Sequence, residues 1–204
     1  MRGLFVTGTD TGVGKTVLSA ALLLRFPEAR YWKPIQTGPD DDTAEVRKLS
    51  GGQAFDLGIR LPDPVSPHLA AQRAHTHIRL ESLLASRGSD GQAWIVEGAG
   101  GVLVPVNAAQ TMADLMVLLG LPVIVAARTT LGTINHTMLT LEALRARSLN
   151  VAGVVMIGDA DADNRAAIEH YGCVPMVAGM PRFDPLTPDC LRRWANTLPQ
   201  DLIP

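Results

Sequence analysis

Gly8-Thr9-Asp10-Thr11-Gly12-Val13-Gly14-Lys15-Thr16 sets glycines, a lysine and a hydroxyl in an order that suits a polyphosphate. Backbone amides of a glycine-rich loop can wrap phosphate oxygens, and a following helix adds the positive end of its dipole. Lys15 is then placed to reach the outer phosphates and Thr16 to ligate magnesium. A strict P-loop would carry glycine where Thr9 stands, so this loop is a variant of the motif. Its context is right: the apolar run Leu4-Phe5-Val6 precedes it, and a helix-like stretch from Val17 to Leu24 follows. Gly12, Val13, Gly14, Lys15, Thr16 and Val17 are the expected nucleotide contacts.

Four further groups carry chemistry. In Trp32-Lys33-Pro34-Ile35-Gln36-Thr37-Gly38 the lysine sits where proline stops a strand, either as a surface residue or turned into the phosphate site. Trp94-Ile95-Val96-Glu97 is an apolar strand ending in a carboxylate, where P-loop proteins keep a second magnesium ligand. The glycines around Gly98, Ala99 and Gly100 would let backbone amides approach an anion. Asp40-Asp41-Asp42-Thr43-Ala44-Glu45 is either a solvated turn capping the next helix through Asp42 or Thr43, or the donor of one more carboxylate to the metal. Composition does not choose among the three aspartates. Arg128 to His136 opens a helix whose free amides suit an anion such as a substrate carboxylate, or forms a plain turn capped by Thr133. His75, His77 and His170 have no partners at metal spacing and read as surface or structural residues.

The elements that must position these groups alternate. Strand-like runs at Leu4 to Thr7, Arg30 to Pro34, Trp94 to Glu97, Pro122 to Ala127, Val151 to Ile157 and Val174 to Ala178 are separated by helical stretches. The helices are expected at Lys15 to Arg25, Thr43 to Leu49, Ile78 to Ser86, Thr111 to Leu119, Thr133 to Ser148, Asn164 to Tyr171 and Pro188 to Leu198. The pattern predicts a P-loop NTPase-like α/β fold, a mostly parallel sheet with helices on both faces. Gly51 to Thr76, rich in proline and glycine, reads as an excursion over the sheet's carboxyl edge, where ligands bind.

Composition sets the outer bounds. A chain of 204 residues that is 47% hydrophobic can bury one continuous core, and a single domain over residues 1–204 is expected. Eighteen Lys plus Arg against twenty Asp plus Glu, with no long block of either sign, argues against a nucleic-acid partner. No apolar run approaches the ~20 residues of a membrane helix, and the first strand begins too early for a signal peptide. A cytoplasmic protein is expected. Cys173 and Cys190 are too few for a disulfide framework and read as buried thiols.

Taken together, the loop from Thr7 to Thr16, Lys33-Pro34 with Thr37-Gly38, Asp42, Ser66-Pro67-His68, Glu97 to Gly101 and Leu131-Gly132-Thr133-Ile134-Asn135-His136 resemble dethiobiotin synthetase. The resemblance runs from Leu4 to about Val155. It implies an ATP-dependent ring closure: 7,8-diaminopelargonate takes up carbon dioxide as a carbamate, ATP phosphorylates the carbamate, and the second amine closes the ring and expels phosphate. It further implies Thr16, Asp42 and Glu97 as magnesium ligands, Lys33 beside the carbamate and Lys15 on the triphosphate. Thr37, Ser66, Pro67 and His68 would contact substrate. The family works as a homodimer, so Gly132, Thr133 and Asn135 would reach the neighbouring chain's substrate carboxylate.

Two positions depart from the pattern. Gly12 stands where some members carry an acidic residue. In Val154-Val155-Met156-Ile157-Gly158-Asp159, Ile157 replaces an asparagine that some members use to read adenine, leaving Asp159 or backbone groups near Gly179-Met180-Pro181 as alternatives. The rival reading is a switch ATPase of the partition or positioning type. Such proteins carry a lysine five residues before the P-loop lysine, where this chain has Asp10.

Overall fold

Along Arg2–Gly8 successive side chains point to opposite faces, and both sets are buried. Leu4 and Val6 join one apolar layer and Phe5 the other. A strand apolar on both faces needs cover on both, the condition met by parallel sheets wrapped in helices.

The computed structural model describes residues 2–87 and 91–203 and has that architecture. The first part of the chain forms β1 (Arg2–Gly8), α1 (Lys15–Arg25), β2 (Arg30–Trp32), β3 (Ile35–Thr37), α2 (Asp42–Ser50), β4 (Gln53–Phe55), β5 (Ile59–Leu61) and α3 (Pro67–Arg73). There follow α4 (Leu80–Arg87), β6 (Ala93–Gly101), α5 (Met112–Leu119), β7 (Val123–Arg128), α6 (Thr133–Arg145), β8 (Val151–Ile157), α7 (Ala162–Gly172), β9 (Met176–Met180) and α8 (Pro188–Ala195). Seven strands pair in the order β4-β2-β6-β1-β7-β8-β9, every pairing parallel. One face is covered by α1, α2 and α8 through Leu18, Val46 and Leu191, with Tyr31, Ile95 and Ile124 beneath them. Helices α3 to α7 cover the other through Ala70, Leu80, Met112, Leu141 and Ile168, over Phe5, Val96 and Val125.

Several expectations need correction. The strand expected to reach Pro34 leaves the sheet after Trp32, because proline cannot donate to the ladder. The chain resumes as β3, which pairs with β5 in a separate two-stranded sheet. The segment from Gly51 to Thr76 is therefore more than an excursion: β4 forms the edge of the main sheet, and β5 and α3 build a wall over its carboxyl end. Helix α6 stops at Arg145, and Ser148 adopts a left-handed backbone at φ 54°. Neither cysteine is buried. Cys173 is exposed at the left-handed C-cap of α7, and Cys190 is half-buried in the first turn of α8, its Sγ accepting from the Thr187 amide at 3.2 Å. Among the described residues no helix is long and apolar enough to cross a membrane.

Candidate active site

The carboxyl ends of β1, β2 and β6 lie side by side, and the loops leaving them converge on one cavity of about 630 Å³. The first wall is the loop from β1 to α1. Gly14 ends it at φ 103°, a left-handed backbone that favours glycine, with Ile157 Cδ1 3.0 Å from where a Cβ would sit. Helix α1 starts at Lys15 with neither a side-chain cap nor an acidic residue in its first turn, which leaves its amides and dipole for an anion. Lys15 Nζ donates to the Asp10 carbonyl at 2.9 Å. Burial lowers its pKa to about 8 against the opposing pull of Glu97. From the end of β7, Arg128 Nη2 clamps the loop, donating to Asp10 Oδ2 at 3.1 Å and the Thr11 carbonyl at 3.0 Å.

The second wall is a polar cluster. Thr16 Oγ1 lies 3.0 Å from both Asp42 Oδ1 and Glu97 Oε1, one hydroxyl between two carboxylates. Lys33 Nζ donates to Glu97 Oε1 at 2.7 Å and also bonds Asp42 Oδ2. Lys33 is 7% and Glu97 1% exposed. Burial disfavours the Lys33 ammonium, but the charges of Glu97 and Asp42 outweigh it and hold its pKa above the ordinary lysine value. Lys33 is turned inward and lines the cavity with Lys15 and Thr16. Beneath the cluster Tyr31 Oη donates to Glu97 Oε2 at 3.0 Å. Burial, reinforced by the Glu97 charge, raises the phenol's pKa well above its usual value, so it remains a donor.

Helix α2 is capped by Asp41, not by Asp42 or Thr43: Asp41 Oδ1 accepts from the Ala44 amide at 2.8 Å and from Arg60 Nη2 at 2.9 Å. That correction leaves the Asp42 carboxylate facing Thr16 and Lys33. A hydroxyl and two carboxylates converge there, all hard oxygen donors, and the set fits magnesium, which takes one or two carboxylates alongside phosphates.

Gly12, Gly14, Lys15, Thr16, Val17, Lys33, Thr37, Asp42, Ser66, Pro67, Glu97, Ala99 and Gly100 all line the cavity. Val13 and Gly98 are buried outside its lining, and His68 is exposed with its Nδ1 3.0 Å from Ser66 Oγ. Gly132, Thr133 and Asn135, at the start of α6, do not line the cavity of their own chain. Gly132, not Thr133, is the N-cap of α6, and Thr133 Oγ1 donates back to the Arg128 carbonyl at 2.5 Å. Tyr31 and Gln36 were not singled out by sequence; Gln36 lines the cavity, and Tyr31 lies beneath it on β2. Ile157 packs beside Gly14 with Met180, an apolar pair at the ends of β8 and β9.

A parallel sheet whose first strand delivers a glycine loop, Lys15 and Thr16 to the tip of a helix defines a P-loop nucleotide-binding protein. Solved structures share the fold. A ParA family ATPase from Chlorobium tepidum superposes with a TM-score of 0.59 at 12% identity, covering 95% of this chain and 97% of that one. The cell division ATPase MinD of Pyrococcus furiosus gives 0.58 at 16% identity, with coverage of 98% and 90%. Residues 2–189 match the AAA domain family.

Sequence relatives narrow the class. The chain is 49% identical over 181 residues to the ATP-dependent dethiobiotin synthetase BioD of Paramagnetospirillum magneticum, with 87% of each covered. It is 45% identical over 193 residues to BioD of Agrobacterium fabrum, covering 92% of this chain and 90% of the relative. It is also 45% identical over 204 residues to the biotin biosynthesis bifunctional protein BioCD of Bordetella avium, spanning 43% of that longer protein. The chain belongs to the ATP-dependent dethiobiotin synthetase family, a family of ligases.

Proposed function

We propose that this chain closes the ureido ring of dethiobiotin from 7,8-diaminopelargonate and carbon dioxide, converting ATP to ADP and phosphate. The observation that carries the reading is the Lys33 cluster: a buried ammonium between Glu97 and Asp42, lining the same cavity as Lys15. The reaction gathers a carbamate, a triphosphate and a departing phosphate in one place, and their mutual repulsion must be offset.

Lys15 exchanges the Asp10 carbonyl for the outer phosphates of ATP, and the amides at the start of α1 hold the same group. Lys33 holds the carbamate carboxylate, with Thr37, Ser66 and Pro67 along the substrate's path. Thr16, Asp42 and Glu97 would hold magnesium, which supplies further neutralisation of phosphate charge when bound. The carbamate oxygen attacks the terminal phosphorus and ADP leaves. The second amine then attacks the carbamoyl carbon, a C–N bond forms, phosphate departs and the amine proton passes to solvent. We assign the enzyme to the cytoplasm as a single-domain homodimer, in which Gly132, Thr133 and Asn135 of one protomer serve the partner's substrate.

The test is product analysis by mass spectrometry with 7,8-diaminopelargonate, bicarbonate, magnesium and ATP, and with CTP and GTP in parallel. Dethiobiotin is expected only when the diamine, bicarbonate, magnesium and a nucleoside triphosphate are all present. The apolar pair Ile157 and Met180 offers a base no hydrogen bond from a side-chain amide, so CTP and GTP are expected to support turnover as well. Nucleotide hydrolysis without a ring product would overturn the assignment and favour a switch ATPase.

A further inference from the structure

The carboxylate of Glu97 has two oxygens with different surroundings. Oε1 faces the cavity and meets Thr16 Oγ1 at 3.0 Å and Lys33 Nζ at 2.7 Å. Oε2 points into the protein and accepts from Tyr31 Oη at 3.0 Å. Rotation about the last torsion of a glutamate is soft and roughly two-fold, so burial alone does not fix the plane of the group. A donor on the rear oxygen does. Tyr31 suits that task because its ring is fully buried between β2 and the helices above it, and β2 lies directly beside β6, with Tyr31 opposite Ile95.

We propose that Tyr31 is a positioning residue for the metal–nucleotide site: its hydroxyl holds Glu97 so that a single oxygen, Oε1, faces Thr16. The inference rests on the reading of Thr16, Asp42 and Glu97 as magnesium ligands. Groups that orient a ligand from behind typically change metal affinity 10- to 100-fold when removed. Tyr31→Phe keeps the ring and removes only the donor.

The experiment is a magnesium titration of the binding of a non-hydrolysable ATP analogue, followed by calorimetry, for the unaltered protein, Tyr31→Phe and Glu97→Gln. Tyr31→Phe is expected to raise the magnesium concentration at half-saturation about tenfold. A merely structural role would lower the melting temperature and activity at every magnesium level without moving the half-saturation point, and that result would overturn the proposal. If Glu97→Gln shifts the half-saturation point and Tyr31→Phe does not, the positioning role fails alone. If Glu97→Gln leaves it unmoved, the ligand assignment itself fails. Should Tyr31→Phe not fold, the unaltered sequence still provides a test. The chain has two tyrosines, and Tyr171 is 72% exposed on α7. In protein grown with 3-fluorotyrosine, the magnesium–nucleotide complex is expected to shift the fluorine resonance of Tyr31 and not that of Tyr171. An unmoved Tyr31 resonance would refute the coupling.

Discussion

Replacing Lys33 by methionine keeps the apolar stem and removes the charge. It would leave Glu97, 1% exposed, and Asp42, 22% exposed, without the cation bonded to both. Removing one partner from a buried ion pair costs about 3–5 kcal/mol, and the partial access of water to Asp42 argues for the lower end, about 3 kcal/mol. For a domain near this size each kcal/mol moves the melting temperature by about 2–4 °C, so Lys33→Met should melt about 6–12 °C lower. Magnesium with an ATP analogue brings positive charge back to the two carboxylates and should recover much of that loss. The assays are differential scanning calorimetry with and without magnesium and analogue, calorimetric titration of the analogue, and mass spectrometry of the product. Retained analogue binding with no dethiobiotin is the expected pattern. A melting temperature within about 2 °C of the unaltered protein would refute the electrostatic argument. Full turnover would refute the catalytic one.

Lys15 has a pKa of about 8 against an ordinary 10.5, so between these values the unfolded chain holds the extra proton and the contribution of Lys15 to stability rises with pH. Nucleotide binding needs the charged form and should run the other way, weakening as pH climbs through about 8. Titration of an ATP analogue at about pH 7 and about pH 9, with Lys15→Met as reference, checks this, and a pH-independent affinity would count against it. Gly58→Ala would set a Cβ 2.1 Å from the Lys33 carbonyl, so it should lower stability by at least about 1–3 kcal/mol and displace the lysine; wild-type melting and turnover would contradict the packing. Arg128→Ala breaks an exposed clamp on the loop, where the pair with Asp10 contributes less than about 1 kcal/mol to stability, so the melting temperature should barely change. The KM for ATP should rise, and an unchanged KM would show that the loop holds its shape without the clamp.

The site was legible where its chemistry is contiguous or sits at a strand end. The loop to Thr16 is dictated by backbone needs within nine residues, and Glu97 closes an apolar run that turns into glycine. Asp42 was only half legible, because three successive aspartates look alike until one of them is engaged by the Ala44 amide and Arg60. Tyr31 reads as an ordinary core residue of a strand. Its role depends on β6 lying beside β2, and nothing local in the sequence announces that neighbour. The strands β3, β4 and β5 have three residues each, too few for a period of two to stand out from a proline- and glycine-rich stretch. The parallel sheet as a whole was legible for the opposite reason, since its longer strands are apolar on both faces.

Strand β6 lies between β1 and β2, although the chain makes it sixth. During synthesis β1 and β2 therefore emerge before the strand that lies between them. Until residues 93–101 leave the ribosome, β1 and β2 each present an open edge toward the place β6 will take. Such edges invite wrong pairings, and contacts that wait on distant chain form slowly. Thr16 and Glu97, 81 residues apart, meet only when that insertion is complete. Occupation of the site by nucleotide thus reports that the central strand has arrived, and binding drains the population of half-assembled chains by mass action.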